Sequence, residues 1–305
     1  MLPASRSPSR TEAPRAEVVG QPPLIEVDLG ATRRRIKRLR RYVAANLLKD
    51  RSFLCPYRRE CRRSLSDADV FRPATMSHVG HRFDLRLDGR DLRIVVVGQE
   101  SGWPKGPEAM RKASKVSLAA RYAAVHDDTG LGRRYYATPE YEGRNPHMRG
   151  TTSALRVVFG HGLGTNFAGE WVCPENDRPF HLFDGFALVN RLLCSAGPPG
   201  SSTGHPTRLM RDNCLEHFEA TLSILQPTLV VLQGALVARS AEGALPVVRR
   251  RGEHSYTSDL NGQLVQVCVF SHPAAHGSQR WGNGLDAPYL KQVVVPTLQG
   301  AIEAL

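Results

Sequence analysis

The stretch Leu92-Arg-Ile-Val-Val-Val-Gly-Gln-Glu-Ser-Gly102 decides the fold, because an apolar run passes directly into a polar turn bracketed by glycines. Similar apolar runs lead to Asn190, to Gln233 and to Ser271-His272. The patterns predict strands at 92–97, 185–193, 228–233 and 264–270, and helices near 115–126, 151–160, 212–225 and 288–304. This alternation predicts an α/β fold with a central, mainly parallel four-stranded sheet flanked by helices.

Polar residues follow each predicted strand, and sheets of this kind bind ligands beyond the carboxyl ends of their strands. The strand ends carry Gln99 with Glu100, then Asn190, Gln233, and Ser271 with His272. We therefore expect these groups to converge at one edge of the sheet. Thr151 or Thr152 is the predicted N-cap of the helix near 151–160.

The composition indicates a cytoplasmic protein that binds a polyanion. The 305 residues include 41 Lys and Arg against 29 Asp and Glu, a net charge of +12. Such an excess suits phosphate groups, although a genome that favours arginine would produce the same excess. No apolar run approaches the length of a membrane span, and the N-terminus lacks the apolar segment of a secretory signal.

The N-terminal part of the chain differs from the rest. Residues 1–25 are expected to form a disordered tail, residues 26–52 a basic helical extension, and residues 53–305 the α/β domain. Seven basic residues crowd the extension, namely Arg33, Arg34, Arg35, Lys37, Arg38, Arg40 and Arg41. This helix either contacts phosphate or presents a solvated face while its apolar side packs.

Six cysteines without an export signal argue against a disulfide framework, and clustered cysteines then indicate metal binding. The candidate ligands are Cys55, Cys61, Cys194 and Cys214. Four thiolates suit an iron–sulfur cubane or a structural zinc ion, with free buried thiols as the alternative. Cys268 alternates within an apolar strand and is expected to be a buried thiol, and Cys173 has no assigned role.

Taken together, these features resemble the iron–sulfur branch of the uracil-DNA glycosylase superfamily. The resemblance covers roughly residues 53–300 and rests on Gly98-Gln99-Glu100-Ser101-Gly102, Asn190, Cys194, Pro198-Pro199 and Ser271-His272-Pro273. It implies a three-layer α/β/α fold, a structural 4Fe-4S cluster (or zinc in its place), and DNA with a damaged or deaminated base as partner. We also expect a monomer that does not bind a membrane.

The resemblance also implies catalytic roles. Glu100 would activate the attacking water, with Gln99 as the positioning group. His272 would stabilise the leaving base as negative charge grows on it. Asn190 would pair with the base edge, since an amide both donates and accepts.

Further residues would contact the base or the DNA. Gly98 and Ser271 would line the pocket, and His147, where the family carries a phenylalanine, would stack on the base. Arg280 or Trp281 would fill the gap left by the flipped nucleotide, with a packed core side chain as the alternative for Trp281.

The sequence features are consistent with three alternative functions. The first is a glycosylase that excises uracil or a related damaged base from DNA. The second is a non-catalytic iron–sulfur protein of the same fold that binds DNA, which Ser101 and His147 favour because both depart from the family pattern. The third is a nucleoside or nucleotide hydrolase with structural zinc.

Overall fold

A computed structural model of the chain describes residues 23–49, 52–72, 77–99, 141–198 and 204–305. Outside these ranges lie Glu100, Ser101, Pro199, the predicted helix near 115–126 and most of the predicted tail. What the sequence indicates for those residues stays a prediction.

Strands and helices alternate along the described residues. The strands are β1 Ile25–Val27, β2 Leu48–Lys49, β3 Ser52–Phe53, β4 Val70–Arg72, β5 His78–Val79, β6 Leu85–Leu87, β7 Arg90–Leu92, β8 Ile94–Gly98, β9 Trp171–Val172, β10 Phe180–His181, β11 Phe186–Asn190, β12 Ser195–Gly197, β13 Leu229–Gln233, β14 Val247–Arg250, β15 Ser255–Leu260 and β16 Gln263–Phe270. The α-helices are α1 Leu29–Asn46, α2 Arg58–Arg63, α3 Pro146–Val158, α4 Arg208–Asn213, α5 Leu215–Leu225, α6 Ala235–Ala241 and α7 Val295–Glu303. A π-helical turn, Leu290–Val294, leads into α7.

A seven-stranded mixed sheet forms the centre of the protein, in the order β14-β15-β16-β13-β8-β11-β5. The inner strands β16, β13, β8 and β11 pair in parallel, and the flanking strands pair antiparallel. Every residue of β8 is buried, as expected for a central strand covered on both faces. The chain is therefore a mixed α/β protein.

Two apolar cores lie on opposite faces of this sheet, because successive side chains of a strand point to opposite sides. Val95 of β8 belongs to a core with Leu39 of α1, which we call the α1 face. Val96 belongs to the other core, with Leu155 of α3 and Leu298 of α7, which we call the α3 face. Helices thus cover both faces of the sheet.

The sheet is larger than the four strands predicted. The predicted strands coincide within a few residues with β8, β11, β13 and β16. The additional strands β5, β14 and β15 pair antiparallel at the two edges. Because β5 has two residues and β14 is exposed along its whole length, neither shows the apolar run that marks a buried strand.

Within the described ranges, helices are present near 151–160, 212–225 and 288–304 as predicted, and the predicted cap of the first is wrong. Asn145 caps α3, its Oδ1 accepting the Met148 amide at 2.9 Å, and Pro146 occupies the first turn. Thr151 and Thr152, the predicted caps, lie inside α3 and are buried, because the apolar periodicity begins later than the helix does. Among the described helices, none combines the length and the apolarity needed to cross a bilayer.

The predicted basic extension packs against the sheet domain. β1 pairs antiparallel with β6, and α1 begins directly after it at the cap Asp28, which accepts the Ala31 amide at 2.7 Å. Leu39 and Val43 of α1 are buried in the core of the α1 face. The basic helix is therefore held at a fixed place on the domain.

Candidate functional site

The carboxyl ends of the parallel strands carry polar residues along one edge of the sheet. Asn190 ends β11 beside Gly98 of β8, Gln233 ends β13, and His272 follows β16. Adjacent strands lie about 4.8 Å apart, so the row from β11 to β16 is about 14 Å wide. We call this row, together with a histidine that packs on it, the strand-end site; its members are Gly98, Gln99, His147, Asn190, Gln233, Ser271 and His272.

Gly98 brings the first motif directly beside Asn190. The Arg191 amide donates to the Gly98 carbonyl at 2.8 Å, which joins the two strand ends. A Cβ atom at position 98 would lie 3.6 Å from Asn190 Oδ1, so a larger side chain would project onto that amide. Gln99 and Asn190 are half-buried, whereas the predicted water-activating Glu100 lies outside the described residues.

His147 and His272, predicted from separate motifs, are in contact. Their rings stack with centroids 5.5 Å apart and an angle of 27° between the planes. His147 lies in the first turn of α3, and His272 lies between β16 and Pro273. The predicted stacking position and the predicted base-stabilising position therefore form one group.

Two glycines allow the loop after β16 to lie directly on α3. A Cβ atom at Gly150 would come within 2.7 Å of Pro273 Cβ, and one at Gly282 would overlap the carbonyl oxygen of Pro146. Such contacts are closer than packed atoms tolerate. The close approach at these two glycines sets the position of the His272 ring over His147.

Both imidazoles are neutral near pH 7. Burial lowers the pKa of His147 to about 4, with a further contribution from the neighbouring His272. Partial burial also lowers the pKa of His272. His272 Nδ1 accepts the Ala274 amide at 3.1 Å, so the neutral ring carries its proton on Nε2. That N–H group is a hydrogen-bond donor for a ligand.

Gln233 is a further polar group of the strand-end site, with no role predicted from the sequence beyond its strand-end position. The residue is 1% exposed, and its Nε2 donates to Thr151 Oγ1 at 3.2 Å. Its side chain also hydrogen-bonds the His147 imidazole, which ties Gln233 to the histidine pair.

The loop after β16 is closed by internal hydrogen bonds. Ser271 Oγ donates to the Gln279 carbonyl at 2.6 Å, and Trp281 Nε1 donates to the Ser271 carbonyl at 2.8 Å. Trp281 is 0% exposed and packs on Phe270. This burial contradicts the predicted insertion of Trp281 into DNA, because the indole would have to leave the core. Arg280 is exposed, and its DNA contact stays a prediction.

A buried ion-pair network that no sequence motif indicated supports α3. Arg144 donates to both carboxylate oxygens of Glu170, at 2.8 and 2.7 Å, and His181 Nε2 lies 2.8 Å from Glu170 Oε2. Arg144 also donates to Thr152 of α3 at 3.0 Å. Although burial acts to raise the pKa of Glu170, hydrogen bonds from His181 and Arg144 lower it. The three partners are separated by 11 residues or more in the sequence, so no local motif indicated the network.

The four candidate ligand cysteines are all buried and all belong to the core of the α1 face. Cys55 follows β3, Cys61 lies in α2, Cys194 precedes β12 and Cys214 caps α5. Cys268 is a buried thiol as expected, and Cys173 is exposed.

Hydrogen-bonding groups face two of these sulfurs. Asn213 Nδ2 donates to Cys61 Sγ at 3.5 Å, and His217 Nε2 lies 3.6 Å from Cys55 Sγ. Burial raises the pKa of the Cys55 thiol to about 11, and the nearby Cys214 and Cys61 add to the shift. Without a cation the Cys55 thiol is therefore protonated at neutral pH.

The donor set matches a four-thiolate site in residue type. In the ranges that the structure describes, no group of three or more His, Cys, Asp or Glu side chains is placed to hold a metal ion. His217 was missed by the motif, although its place three residues after Cys214 puts it in the same first turn of α5.

Comparison with known proteins adds no assignment. No protein-family model matches the chain, and no curated protein matches it. The functional argument therefore rests on the strand-end site, the cysteines and the charge of the surface.

Proposed function

We propose that the protein is a DNA glycosylase that hydrolyses the N-glycosidic bond of uracil or a related damaged base. The observation that carries the proposal is the convergence of Asn190, Gln233 and the His147–His272 pair at the carboxyl edge of the sheet. The proposal includes the glycosylase-like three-layer α/β/α arrangement, which the parallel order of the four inner strands supports.

The chemistry of these groups fits a flipped base. A uracil edge offers one N–H donor between two carbonyl acceptors. The Asn190 amide can pair with such an edge, accepting the N–H and donating to one carbonyl. His272 Nε2–H can donate to the carbonyl oxygen on which negative charge grows.

In the proposed reaction a water oxygen bonds to C1′ of the deoxyribose while the bond from C1′ to the base nitrogen breaks. The electron pair of that bond goes to the base, and His272 stabilises the resulting anion by hydrogen bonding. Glu100, positioned by Gln99, takes the water proton. The base anion then takes up a proton, so the free base and an abasic sugar are the products.

We further propose that Cys55, Cys61, Cys194 and Cys214 hold a 4Fe-4S cluster, with structural zinc as the alternative. When bound, such a group would order the surrounding loops and take no part in bond cleavage. Asn213 and His217 would donate hydrogen bonds to its sulfur ligands, as outer partners of metal sites do. Elemental analysis separates the two, since the cluster brings about four irons and the zinc site about one zinc.

The test is excision from end-labelled DNA that contains one uracil, in single-stranded and duplex form, by protein purified without air. We expect cleavage after alkali at the uracil, and a loss of about 10²–10³-fold in rate for His272→Ala. Asn190→Ala should also reduce excision. The matched control is His276→Ala, an exposed histidine in the same loop, which should excise like the wild type.

Equal excision by wild type, His272→Ala and Asn190→Ala would overturn the assignment of the site. The second candidate, a non-catalytic iron–sulfur protein that binds DNA, is favoured by the contact between the two imidazoles. Because His272 covers one face of His147, a base could stack there only on the other face or after a shift of the ring. DNA binding without any excised base would support this candidate. Both candidates would act in the cytoplasm.

A further inference from the structure

The outward side of α1 carries a dense positive charge. Its 18 residues include seven basic and no acidic ones. One of them, Arg35, is turned inward to Asp84, with Nε 2.8 Å from Oδ1. The exposed cations of α1 that have no ion-pair partner within the described ranges are Arg33, Arg34, Lys37, Arg38 and Arg41.

A second basic helix, α2, contributes four exposed arginines, Arg58, Arg59, Arg62 and Arg63. Three of them line a groove of about 650 Å³ beside the segment that follows α2. Asp67 and Asp69 also line this groove, and the Asp69 carboxylate already accepts a hydrogen bond from Ser66 at 2.8 Å. The helix also contains the exposed Glu60, and its four arginines against this one glutamate leave it net positive.

The two basic helices are neighbours on the α1 face. The hairpin of β2 and β3, in which Leu48 pairs with Phe53, joins the end of α1 to the start of α2. Tyr42 of α1 lies 2.7 Å from His217 Nδ1, and His217 in turn contacts Cys55 just before α2. Both helices therefore lie close to the candidate ligand cysteines.

We propose that α1 and α2 together bind the phosphate backbone of a nucleic-acid duplex, as an anchor separate from the strand-end site. A helix of 18 residues is about 27 Å long, which matches about eight base pairs of duplex. Arginine is the cation best suited to phosphate, because its fork of N–H groups binds two oxygens at once. Such a surface recognises the charge of the phosphate backbone and not the base sequence.

The burial pattern of α1 argues against an anionic membrane as the occupant. A helix that lies on a bilayer exposes a large apolar face to the acyl chains. The apolar residues Leu39 and Val43 of α1 are instead packed into the core, 2% and 3% exposed. The outward face that remains is basic, which suits phosphates in water.

The test uses the full chain and an undamaged 20-base-pair duplex with a fluorescent end, titrated at several salt concentrations. The test variant is Arg34→Gln/Lys37→Gln/Arg38→Gln/Arg41→Gln. The matched control, Arg178→Gln/Arg239→Gln/Arg249→Gln/Arg250→Gln, removes the same charge from exposed positions outside α1 and α2. Circular dichroism checks that both variants remain folded.

We expect the test variant to lose at least about tenfold in affinity, and the slope of log K against log salt to fall in magnitude by about 3–4, roughly 0.9 per lost phosphate contact. The control should change affinity less than about twofold. Equal losses in the two variants would overturn the proposal, and so would tighter binding of the wild type to phosphatidylserine vesicles than to the duplex. Because the probe is undamaged, failure of base excision leaves this result intact.

Discussion

The two faces of the sheet differ in whether their charged side chains are buried and paired or exposed to solvent. On the α3 face, charged and polar side chains are buried and paired within the chain, as Arg144, Glu170 and His181 are. On the α1 face, most of the charge of α1 stays at the surface without an ion-pair partner in the described ranges. Asn213 donates a hydrogen bond to the Cys61 thiol on the same face.

This difference indicates which parts of the molecule are complete and which need an external partner. Internal pairing on the α3 face holds His147 and His272 in place before any ligand arrives, which is the preorganisation that a catalytic site requires. The exposed cations of α1 gain their full interaction only when phosphate approaches. Removal of side chains should therefore cost much on the α3 face and little on the outward side of α1.

The largest effect is expected for Arg144→Met. This change leaves the buried Glu170 carboxylate without its bidentate partner, and broken buried pairs of this kind cost about 3–5 kcal/mol. Urea denaturation followed by circular dichroism measures the free energy of unfolding. The control Arg208→Met breaks an exposed pair with Asp212 and should leave the unfolding free energy nearly unchanged. A loss no larger than that of the control would show that Glu170 is satisfied by other partners.

A smaller effect is expected from pH through His147. Its pKa is about 4 in the folded protein and about 6.5 in the unfolded chain, so the unfolded state binds more protons between these values. Stability should therefore fall as the pH is lowered through this window, by up to about 2 kcal/mol between pH 7 and pH 5. His147→Gln cannot titrate and should lack this part of the loss. Parallel stability curves for the two proteins would contradict the lowered pKa.

Local sequence patterns predicted the central strands but not the contacts between segments that are distant in the chain. Continuous apolar runs locate β8 and β13, since a strand buried on both faces has little room for polar residues. The stacking of His147 on His272 depends instead on Gly150 and Gly282, whose importance appears only when the loop meets α3.

The same limit applies to other parts of the site. The sequence around Trp281 is compatible with a buried side chain and with an exposed DNA contact. Its packing on Phe270 distinguishes the two. The strand-end position of Gln233 was predicted, whereas its hydrogen bonds to Thr151 and His147 depend on neighbours from another segment. Sequence patterns therefore predict where a polar residue lies in the fold, whereas tertiary packing determines which contacts and hydrogen bonds its side chain makes.

The smallest effect is expected on the outward side of α1, for Arg38→Gln. Arg34, Arg38 and Arg41 are like charges spaced three and four residues apart, and each such pair costs about 0.2–0.5 kcal/mol in a helix. Loss of one charge should leave the free energy of unfolding unchanged or raise it by less than about 0.5 kcal/mol.

Arg35→Gln in the same helix is the matched control, because Arg35 is the arginine that pairs inward with Asp84. Its loss removes a charged hydrogen bond to a carboxylate that is 7% exposed, which should cost about 1.5–3 kcal/mol. Urea denaturation at low salt measures both variants. If Arg38→Gln destabilises the protein as much as Arg35→Gln does, the outward charges are engaged within the chain. The contrast between the two faces would then fail, and the surface would have no free cations to offer a phosphate backbone.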